Sequence, residues 1–171
     1  MFCYCVACQV DRCAQVAYML EARGVLRAFS PQVLQHRAKE GRLEENYQDL
    51  LPGYVFVYSE NELTNLWGFR DIEGINRWLR TLSGRYELEL DDFDFAMNLY
   101  DKNGILGKVK MVKIGDEMTV DDPVFRHVHG TVGKIDWRKK RARVDFIFHG
   151  MPCSIWTACE LPDGDRRVDK T

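Results

Sequence analysis

Four cysteines within the first 13 residues are the side chains whose types and spacing come closest to a metal site. Cys3, Cys5, Cys8 and Cys13 have the pattern C-x-C-x2-C-x4-C. Thiolates at such short spacing can ligate zinc or an iron–sulfur cluster. The pattern matches no common zinc knuckle, because the first two cysteines fall on a predicted strand and the last in a predicted helix. Free cysteine also packs as a small hydrophobe, so we expect no metal and no cofactor.

One aromatic residue followed by four basic residues forms the second candidate set, Trp137, Arg138, Lys139, Lys140 and Arg141. Proteins that bind RNA combine stacking on aromatic rings with cations that contact phosphates. The same run between two predicted strands is also typical of a solvated hairpin turn. Both interpretations stay open, and we take these five residues as candidate nucleic-acid contacts.

Catalytic signatures are missing from the sequence. It has no glycine-rich phosphate loop, no nucleophile elbow and no HExxH metal motif. Each of these would place a reactive or phosphate-binding group at a defined turn or helix. We therefore predict a binding protein rather than an enzyme.

The charge is unevenly distributed along the 171 residues, a length that allows one domain or two small ones. The net charge is −2, which gives no global reason to expect nucleic acid. Residues 1–112 hold 13 basic and 16 acidic side chains, whereas residues 113–171 hold 11 basic and 10 acidic ones. Any nucleic-acid contact should therefore be local and lie in the C-terminal part.

Membrane and secretory features are not apparent. No stretch approaches the roughly 18 apolar residues of a membrane span, and residues 1–10 lack the basic and apolar regions of a secretory signal. We expect a cytoplasmic protein without membrane contact, in which the six cysteines stay reduced.

The N-terminal part alternates predicted strands and helices. Residues 2–8 are β-prone, and Asp11 can cap a helix over 12–23 that Gly24 ends. An extended segment follows from residue 25, and the charged residues 37–45 resemble the tip of a long hairpin. The predicted buried face of the helix is Cys13, Val16, Ala17 and Leu20.

The centre of the predicted sheet is Leu50–Tyr58 (LLPGYVFVY), in which a Pro-Gly turn precedes β-branched and aromatic residues. Ser59 and Glu62 form a capping box for a second helix, and residues 75–82 predict another strand. A third helix is predicted after it and ends at Asn103-Gly104. Its apolar positions are Leu90, Phe93, Met97 and Tyr100.

Beyond residue 113 the pattern changes to short strands separated by regular turns. Residues 105–113 read as a linker, and the strands are predicted over 117–120, 129–136, 141–148 and 153–158. These are too few for a sandwich and favour a small closed barrel. The predicted fold class is therefore α+β.

These motifs, taken in order, resemble the NusG family of transcription factors over nearly the whole chain. Leu51–Val57 (LPGYVFV) is similar to the signature of the family's N-terminal (NGN) domain, and Gly74-Ile75 to the start of a later strand. Ile114-Gly115-Asp116 and Gly130-Thr131-Val132 are similar to the family's KOW domain. The resemblance implies an NGN domain, with an antiparallel-rich sheet flanked by helices, followed by a small all-β KOW (SH3-like) barrel. The implied ranges are NGN domain 1–104, linker 105–113, KOW domain 114–162 and polar tail 163–171.

The resemblance also implies a function. NusG proteins hold the clamp helices of RNA polymerase beside the LPGYVFV strand, and they act in transcription elongation or antitermination by suppressing pausing or termination. Exposed aromatic residues on a rigid sheet suit such an interface. Val55 and Val57 are expected on the covered face, with Tyr54 and Phe56 on the polymerase side. The implied polymerase contacts are Pro52, Tyr54, Phe56 and Trp78.

Three departures favour a divergent, specialised paralogue akin in kind to RfaH or LoaP, acting at selected operons. Residues 122–130 replace the G-P-F-x-G loop of housekeeping NusG, so the sequence does not decide whether Rho or ribosomal protein S10 is a partner. The first helix lacks the basic cluster of RfaH, and Asn65–Gly68 stands in place of the run of threonines in RfaH. LoaP-like paralogues are directed by an RNA hairpin, which makes nascent RNA a further expected partner. The alternative is an RNA-binding KOW protein that acts on the ribosome or RNA without a polymerase role.

Overall fold

The computed structural model describes residues 1–162 and divides the chain into two compact units. The first unit comprises Met1–Val33 and Gln48–Leu106, and the second comprises Leu34–Tyr47 and the residues from Gly107 onward. The expected tail, 163–171, lies outside the described residues. Each unit is therefore assembled from two separate stretches of chain.

Strands predominate over helices in the described part of the chain, which is α+β. The helices are α1 Cys13–Ala22, α2 Leu90–Asp101 and α3 Pro123–Arg126. Short 3-10 turns occupy Val10–Arg12 and Leu66–Phe69. The strands are β1 Phe2–Cys8, β2 Arg27–Phe29, β3 Gln32–Lys39, β4 Arg42–Asp49, β5 Tyr54–Ser59, β6 Ile75–Trp78, β7 Ile105–Leu106, β8 Val109–Ile114, β9 Glu117–Val120, β10 Thr131–Asp136, β11 Arg141–Phe148 and β12 Met151–Glu160.

The first unit contains a four-stranded antiparallel sheet in the order β2-β5-β1-β6, with α1 packed on one face. Val55 and Val57 lie in the buried cluster beneath α1, as predicted from the alternation of β5. Gly24, at φ +96°, follows the helix. Asp11 does not cap α1, because a 3-10 turn precedes the helix and Arg12 occupies the cap position. The buried side of α1 is the predicted one, Cys13, Val16, Ala17 and Leu20.

Helix α2 covers the opposite face of this sheet. It buries Phe95, Ala96 and Leu99, and the Tyr58 hydroxyl donates a 2.6 Å hydrogen bond to the Ala96 carbonyl. The helix was predicted, but its buried side is rotated from the expected one: Leu90, at φ +54°, is 84% exposed. The sequence spacing identified the helix correctly and misjudged which of its apolar residues reach the sheet.

The helix predicted after Ser59 is wrong. Residues 60–72 contain only the 3-10 turn Leu66–Phe69. Ser59 is buried, and its hydroxyl donates to the Asn61 carbonyl at 2.6 Å instead of capping a helix. The Leu63 N–H donates to the Tyr4 hydroxyl at 2.9 Å, which ties this segment to the sheet.

The strand predicted over 75–82 ends at Trp78. The Leu79 N–H still donates to the Cys5 carbonyl at 2.9 Å, but the chain then leaves the sheet. The Thr81 N–H donates to the Arg85 carbonyl at 2.7 Å and closes a turn. Leu82 stands fully exposed at the tip, so the last residues of the predicted strand form a loop instead.

Strands β3 and β4 form the long hairpin expected around Gly41. Glu40 and Gly41 connect them with φ values of 48° and 78°, the two positive values of a type I′ turn. Residues 37–45 are exposed. From Leu34 to Tyr47 this hairpin belongs to the second unit.

The second unit contains a five-stranded sheet in the order β10-β11-β12-β8-β9. Its pairs are antiparallel except β12 with β8. Strands β9 and β11 have the predicted bounds, and β10 and β12 differ from the predicted bounds by two residues. Phe125 and Phe146 pack edge to face in the core, with ring centroids 5.6 Å apart.

Residues 105–113, expected as a linker, form β7 and most of β8. Val109 and Met111 are buried, and Lys110 between them is exposed. This alternation of buried and exposed residues is typical of a half-buried strand. The exposed lysines made the segment resemble a linker in the sequence.

Asp122 caps the short helix α3 by accepting from the Val124 N–H at 2.9 Å. None of the helices in residues 1–162 has the length and apolar character needed to cross a membrane.

Candidate functional site

A row of three side chains crosses the sheet of the first unit and begins at Tyr54 of the LPGYVFV motif. Tyr54 on β5 is opposite Ala7 on β1, and Ala7 is opposite Arg77 on β6. Directly opposed residues on neighbouring strands point to the same face. Tyr54 is half-buried and Arg77 is exposed, so this row presents a phenol and a cation.

The turn before β5 holds Pro52 at the surface. The Cys8 N–H donates to the Gly53 carbonyl at 2.7 Å, which fixes the turn to the end of β1. Gly53 has φ +83°, and a Cβ there would lie 3.2 Å from the Cys8 carbonyl oxygen. A glycine is therefore required, and Pro52 is exposed on a rigid turn next to Tyr54.

Phe56 lies in the core rather than at the surface. It shares the face of Tyr54 by alternation, but it is completely buried. Its ring meets that of Phe95 on α2, with centroids 6.0 Å apart and planes at 65°. In this structure Phe56 can support a contact surface but does not form one.

Trp78 lies on the other face of the sheet. It is opposite Val6, which is opposite Val55, so its ring is on the α1 side. The ring packs against Tyr4 and Phe69 at centroid distances of 6.1 and 5.7 Å. Trp78 therefore does not lie on the same face of the sheet as Tyr54. Arg77 does, and it was not among the predicted contacts. The pairing of β6 with β1 determines which of the two residues faces the side of Tyr54, and no local pattern in the sequence predicts that pairing.

The basic run forms the turn between β10 and β11. Trp137 is 37% exposed, Arg138 and Lys140 are exposed, and Lys139 is half-buried. The Asp136 carboxylate accepts from the Lys139 N–H at 3.1 Å and so helps to hold the turn. Three of the five predicted side chains thus project from a fixed hairpin tip.

Arg141 is engaged within the fold. Its Nε lies 3.3 Å from the Asp136 carboxylate, and its guanidinium lies 4.6 Å from the centroid of the Trp156 ring. The side chain is half-buried. It anchors the start of β11, and the predicted role as a nucleic-acid contact has less support than for its neighbours.

His36 supports the same turn from the β3–β4 hairpin. Its Nδ1 lies 3.1 Å from the carbonyl oxygens of both Lys139 and Lys140, and Nε2 lies 3.6 Å from Glu45. Carbonyls only accept, so Nδ1 carries the proton. His36 is buried. The sequence offered no signal for this contact, which joins residues more than 100 positions apart.

An exposed tryptophan marks a further surface of the first unit. Trp67 is 71% exposed, and the Arg70 guanidinium lies 4.8 Å from the centroid of its ring. Arg23 holds the adjoining segment by two hydrogen bonds to Asp71, of 2.6 and 2.7 Å. The bonds from Arg23 lower the pKa of the Asp71 carboxyl to about 2. Trp67 was predicted on a helical face and instead stands on a braced turn.

The four N-terminal cysteines are buried in the first unit. Burial raises the pKa of the Cys3 and Cys8 thiols to about 12. The Cys8 thiol donates to the Val6 carbonyl and the Cys13 thiol to the Gln9 carbonyl, at 3.7 and 3.6 Å. Burial raises the pKa of all four thiols, so the thiolates that could ligate a metal are disfavoured.

Comparison with known proteins identifies the fold. No family model matches the chain, and no curated protein does. A solved structure of NusG from Thermotoga maritima, which describes domain interaction in that protein, is similar with a TM-score of 0.52. The two chains are 19% identical, and the match covers 91% of this chain and 92% of the other. The chain therefore has a NusG-like fold.

Proposed function

We propose that this protein is a transcription elongation and antitermination factor that binds RNA polymerase through its first unit. The observation that carries the proposal is the position of the LPGYVFV motif: it lies on the central strand pair of a NusG-like fold, with Pro52 and Tyr54 at the surface. In this proposal the first unit corresponds to the NGN domain and the second unit to the KOW domain. The site is used for binding, and the factor is not an enzyme.

The proposed polymerase surface consists of the row Tyr54, Ala7 and Arg77 together with Pro52. A tyrosine ring that is apolar on its body and polar at its tip suits the rim of an interface. Arginine beside it adds a second residue type that is frequent in binding hot spots. The clamp helices of the polymerase are the proposed partner.

Phe56 and Trp78 have a supporting role in this proposal. Phe56 holds β5 against α2 from below, and Trp78 fixes β6 against Tyr4 on the α1 side. Both therefore determine where the row of Tyr54 lies. Their replacement should reduce polymerase binding through loss of the sheet geometry rather than through loss of a direct contact.

Suppression of pausing requires only that the factor bind the elongating polymerase more tightly than the paused one. The exposed hairpin tip at Trp137, Arg138 and Lys140 is proposed to contact nascent RNA. This addition fits a specialised paralogue of the RfaH or LoaP kind, recruited at selected operons in the cytoplasm. Contacts with Rho or ribosomal protein S10 are not part of the proposal, because the segment 122–130 differs from the family's G-P-F-x-G loop and contains the short helix α3.

Co-purification with core RNA polymerase tests the proposal. Wild type should bind, and Tyr54→Ala should lose most of that binding while its melting temperature stays near that of the wild type. Tyr18→Ala is the matched control, because Tyr18 is a 71% exposed tyrosine on α1, which packs on the opposite face of the sheet. Equal binding by the two variants would refute the assignment of Tyr54.

The second candidate is an RNA-binding KOW protein that acts on the ribosome or RNA without a polymerase role. The observation that favours it is the braced basic hairpin tip of the second unit. Wild-type protein that binds RNA but fails to bind core polymerase, and does not change pausing in a single-round transcription assay, would support this alternative.

A further inference from the structure

A groove runs between the two outer strands of the five-stranded sheet in the second unit. Strands β9 and β10 are the ends of the strand order, and in the described residues no ladder joins them. The space between them has a volume of about 620 Å³, within the range of roughly 300–1,000 Å³ typical of ligand sites. In the described residues the facing edges of β9 and β10 are therefore not joined by strand pairing.

The floor of the groove is partly apolar. Met118 on β9 and Val132 and Ile135 on β10 line it and are half-buried. Thr119 and Thr131 also line the groove, and the Thr131 hydroxyl donates to the Asp145 carbonyl on β11 at 3.4 Å. A flat ligand with polar edges would find both apolar contact and hydrogen-bonding partners here.

A β-bulge shapes the β10 wall. The pairing of β10 with β11 shifts between Val132 and Lys134, which leaves Gly133 as the extra residue. A Cβ at Gly133 would meet the side-chain ends of Arg143 and Asp145 on β11, which would have to move to accept it. Bulges of this kind redirect side chains next to binding sites, and Lys134 follows directly in the groove lining.

The lining of the groove includes both cations and carboxylates. Lys113, Lys134 and Trp137 line it. The hairpin tip beyond Trp137 adds Arg138 and Lys140, both exposed. At the turn between β8 and β9, Asp116 and Glu117 are carboxylate acceptors in the same groove.

The turn that carries Trp137 is built before any ligand arrives. Asp136 and His36 fix the turn through the Lys139 N–H and the Lys139 and Lys140 carbonyls. The Cys159 N–H also donates to the Lys140 carbonyl at 3.0 Å. Because the backbone of this turn is already fixed, little backbone entropy is lost when a base stacks on the ring that the turn carries.

We propose that this groove binds single-stranded RNA, with one base stacked on Trp137 and the adjoining phosphates against Lys134 and Lys113. The exposed cations of the tip extend the phosphate path. The carboxylates of Asp116 and Glu117 accept hydrogen bonds from ribose 2′-hydroxyls or from base amino groups. They do not contact the phosphates, which carry no hydrogen-bond donor. The proposal deepens the RNA contact of the proposed function and rests on it.

A duplex is a poorer fit for the same groove. Its bases are stacked within the helix, so none is available for Trp137, and its phosphates are spaced for a wide surface rather than for a narrow cleft. An extended peptide could use the facing strand edges, but it would leave the ring and the cations of the tip without a specific role.

Binding of short labelled oligonucleotides to the full-length protein tests the proposal. Single-stranded RNA should bind more tightly than DNA of the same sequence or than duplex RNA. Trp137→Ala should weaken RNA binding about 5- to 100-fold, the range for loss of one stacked base. Trp137→Phe, which keeps a ring, should retain most of the binding. Lys134→Ala should lower the slope of log affinity against log salt by about 0.7.

The control is Lys110→Ala, an exposed lysine of β8 in the same unit that does not line the groove. It should bind RNA like the wild type at moderate salt. RNA binding that is unchanged in both Trp137→Ala and Lys134→Ala would overturn the proposal, as would equal affinity for RNA and DNA. Binding of an extended peptide in place of RNA, lost in the same variants, would also overturn it.

The same variants separate this inference from the polymerase assignment. Trp137→Ala should still co-purify with core polymerase, because Tyr54 belongs to the other unit. Failure of the wild type to bind polymerase would remove the proposed function while leaving the measured RNA affinity in place. Failure to bind RNA, with polymerase binding kept, would remove only the groove.

Discussion

Tyr54 and Phe56 share one face of β5, yet the structure gives them different surroundings. Phe56 is completely buried against α2, whereas Tyr54 is half-buried at the end of the strand. Alternation along a strand predicts which face a side chain takes. It does not predict what covers that face, because the cover comes from α2, which lies more than 30 residues later in the chain.

Phe56→Ala should lower the free energy of unfolding by about 3–5 kcal/mol, the usual cost of truncating a buried phenylalanine. Tyr54→Ala should lower the free energy of unfolding clearly less than Phe56→Ala does, because the Tyr54 side chain is partly exposed to solvent. Urea denaturation followed by the helical circular dichroism signal measures both, because α1 and α2 belong to the first unit. Equal losses would contradict the different burial of the two rings.

The Arg23–Asp71 pair predicts a dependence on pH. The pKa of Asp71 is lowered from 3.8 to about 2 by the hydrogen bonds from Arg23. A lowered pKa in the folded state adds stability above the ordinary value, and that stability is lost as the pH falls through about 2. The pair is at the surface, so its contribution is small.

Asp71→Asn should therefore lower the melting temperature slightly at pH 7 and have a smaller effect near pH 2, where about half of the Asp71 carboxyls are protonated in the folded state. Thermal melts of both proteins at the two pH values provide the measurement. A difference that stays the same at both pH values would show that the carboxylate charge is not what stabilises the turn that carries Trp67.

At the scale of elements, strands with a clear pattern were predicted well and segments that depend on distant partners were not. The bounds of β1, β9 and β11 follow from runs of β-prone residues between turns. The capping box at Ser59 failed because the same hydroxyl can bond to a nearby carbonyl in a turn, which local sequence cannot exclude. Strand β8 has the composition of a linker, because lysines alternate with its buried residues.

Gly104, the residue that ends α2, carries a prediction at this scale. It has φ +74°, and a Cβ there would lie 2.6 Å from the Phe29 ring. Gly104→Ala should destabilise the first unit by about 1–3 kcal/mol, the cost of a strained backbone position, with the displaced ring adding to it. Thermal or urea denaturation measures the loss.

Gly107→Ala is the matched control. Gly107 has no positive φ, and a Cβ there would meet no atom within 4 Å. Its replacement should leave the melting temperature within the scatter of the wild type. A comparable loss in both variants would mean that any substitution near this junction disturbs the fold, and the specific contact with Phe29 would lose its support.

At the scale of the whole molecule, the interleaving of the two units was not foreseeable from the sequence. The predicted boundary treated residues 1–104 as one domain, and the structure groups Leu34–Tyr47 with the second unit. The contacts responsible join residues far apart: Gln35 donates to the Trp156 carbonyl at 2.7 Å, and Glu45 lies 3.2 Å from Lys108. Local patterns carry no information about such pairs.

A fragment of residues 107–171 should therefore be less stable than the same residues in the full chain. It lacks the His36 ring beneath the Lys139 and Lys140 carbonyls and the Gln35 bond to Trp156. Hydrogen exchange at the amides of β10 and β11 should be faster in the fragment. A fusion that restores residues 34–47 should recover part of the protection, and equal protection in all three proteins would contradict the prediction.

The discontinuity of the second unit also matters while the chain is being made. His36 precedes Lys139 by 103 residues, so at about 5–20 residues per second the hairpin waits roughly 5–20 s for its partner to leave the ribosome. During that time β3 and β4 expose strand edges to other chains. The tip over 37–45 carries two arginines, one lysine and three glutamates, a composition that discourages edge-to-edge association. The same residues that look like an ordinary solvated loop in the finished molecule thus protect the nascent one.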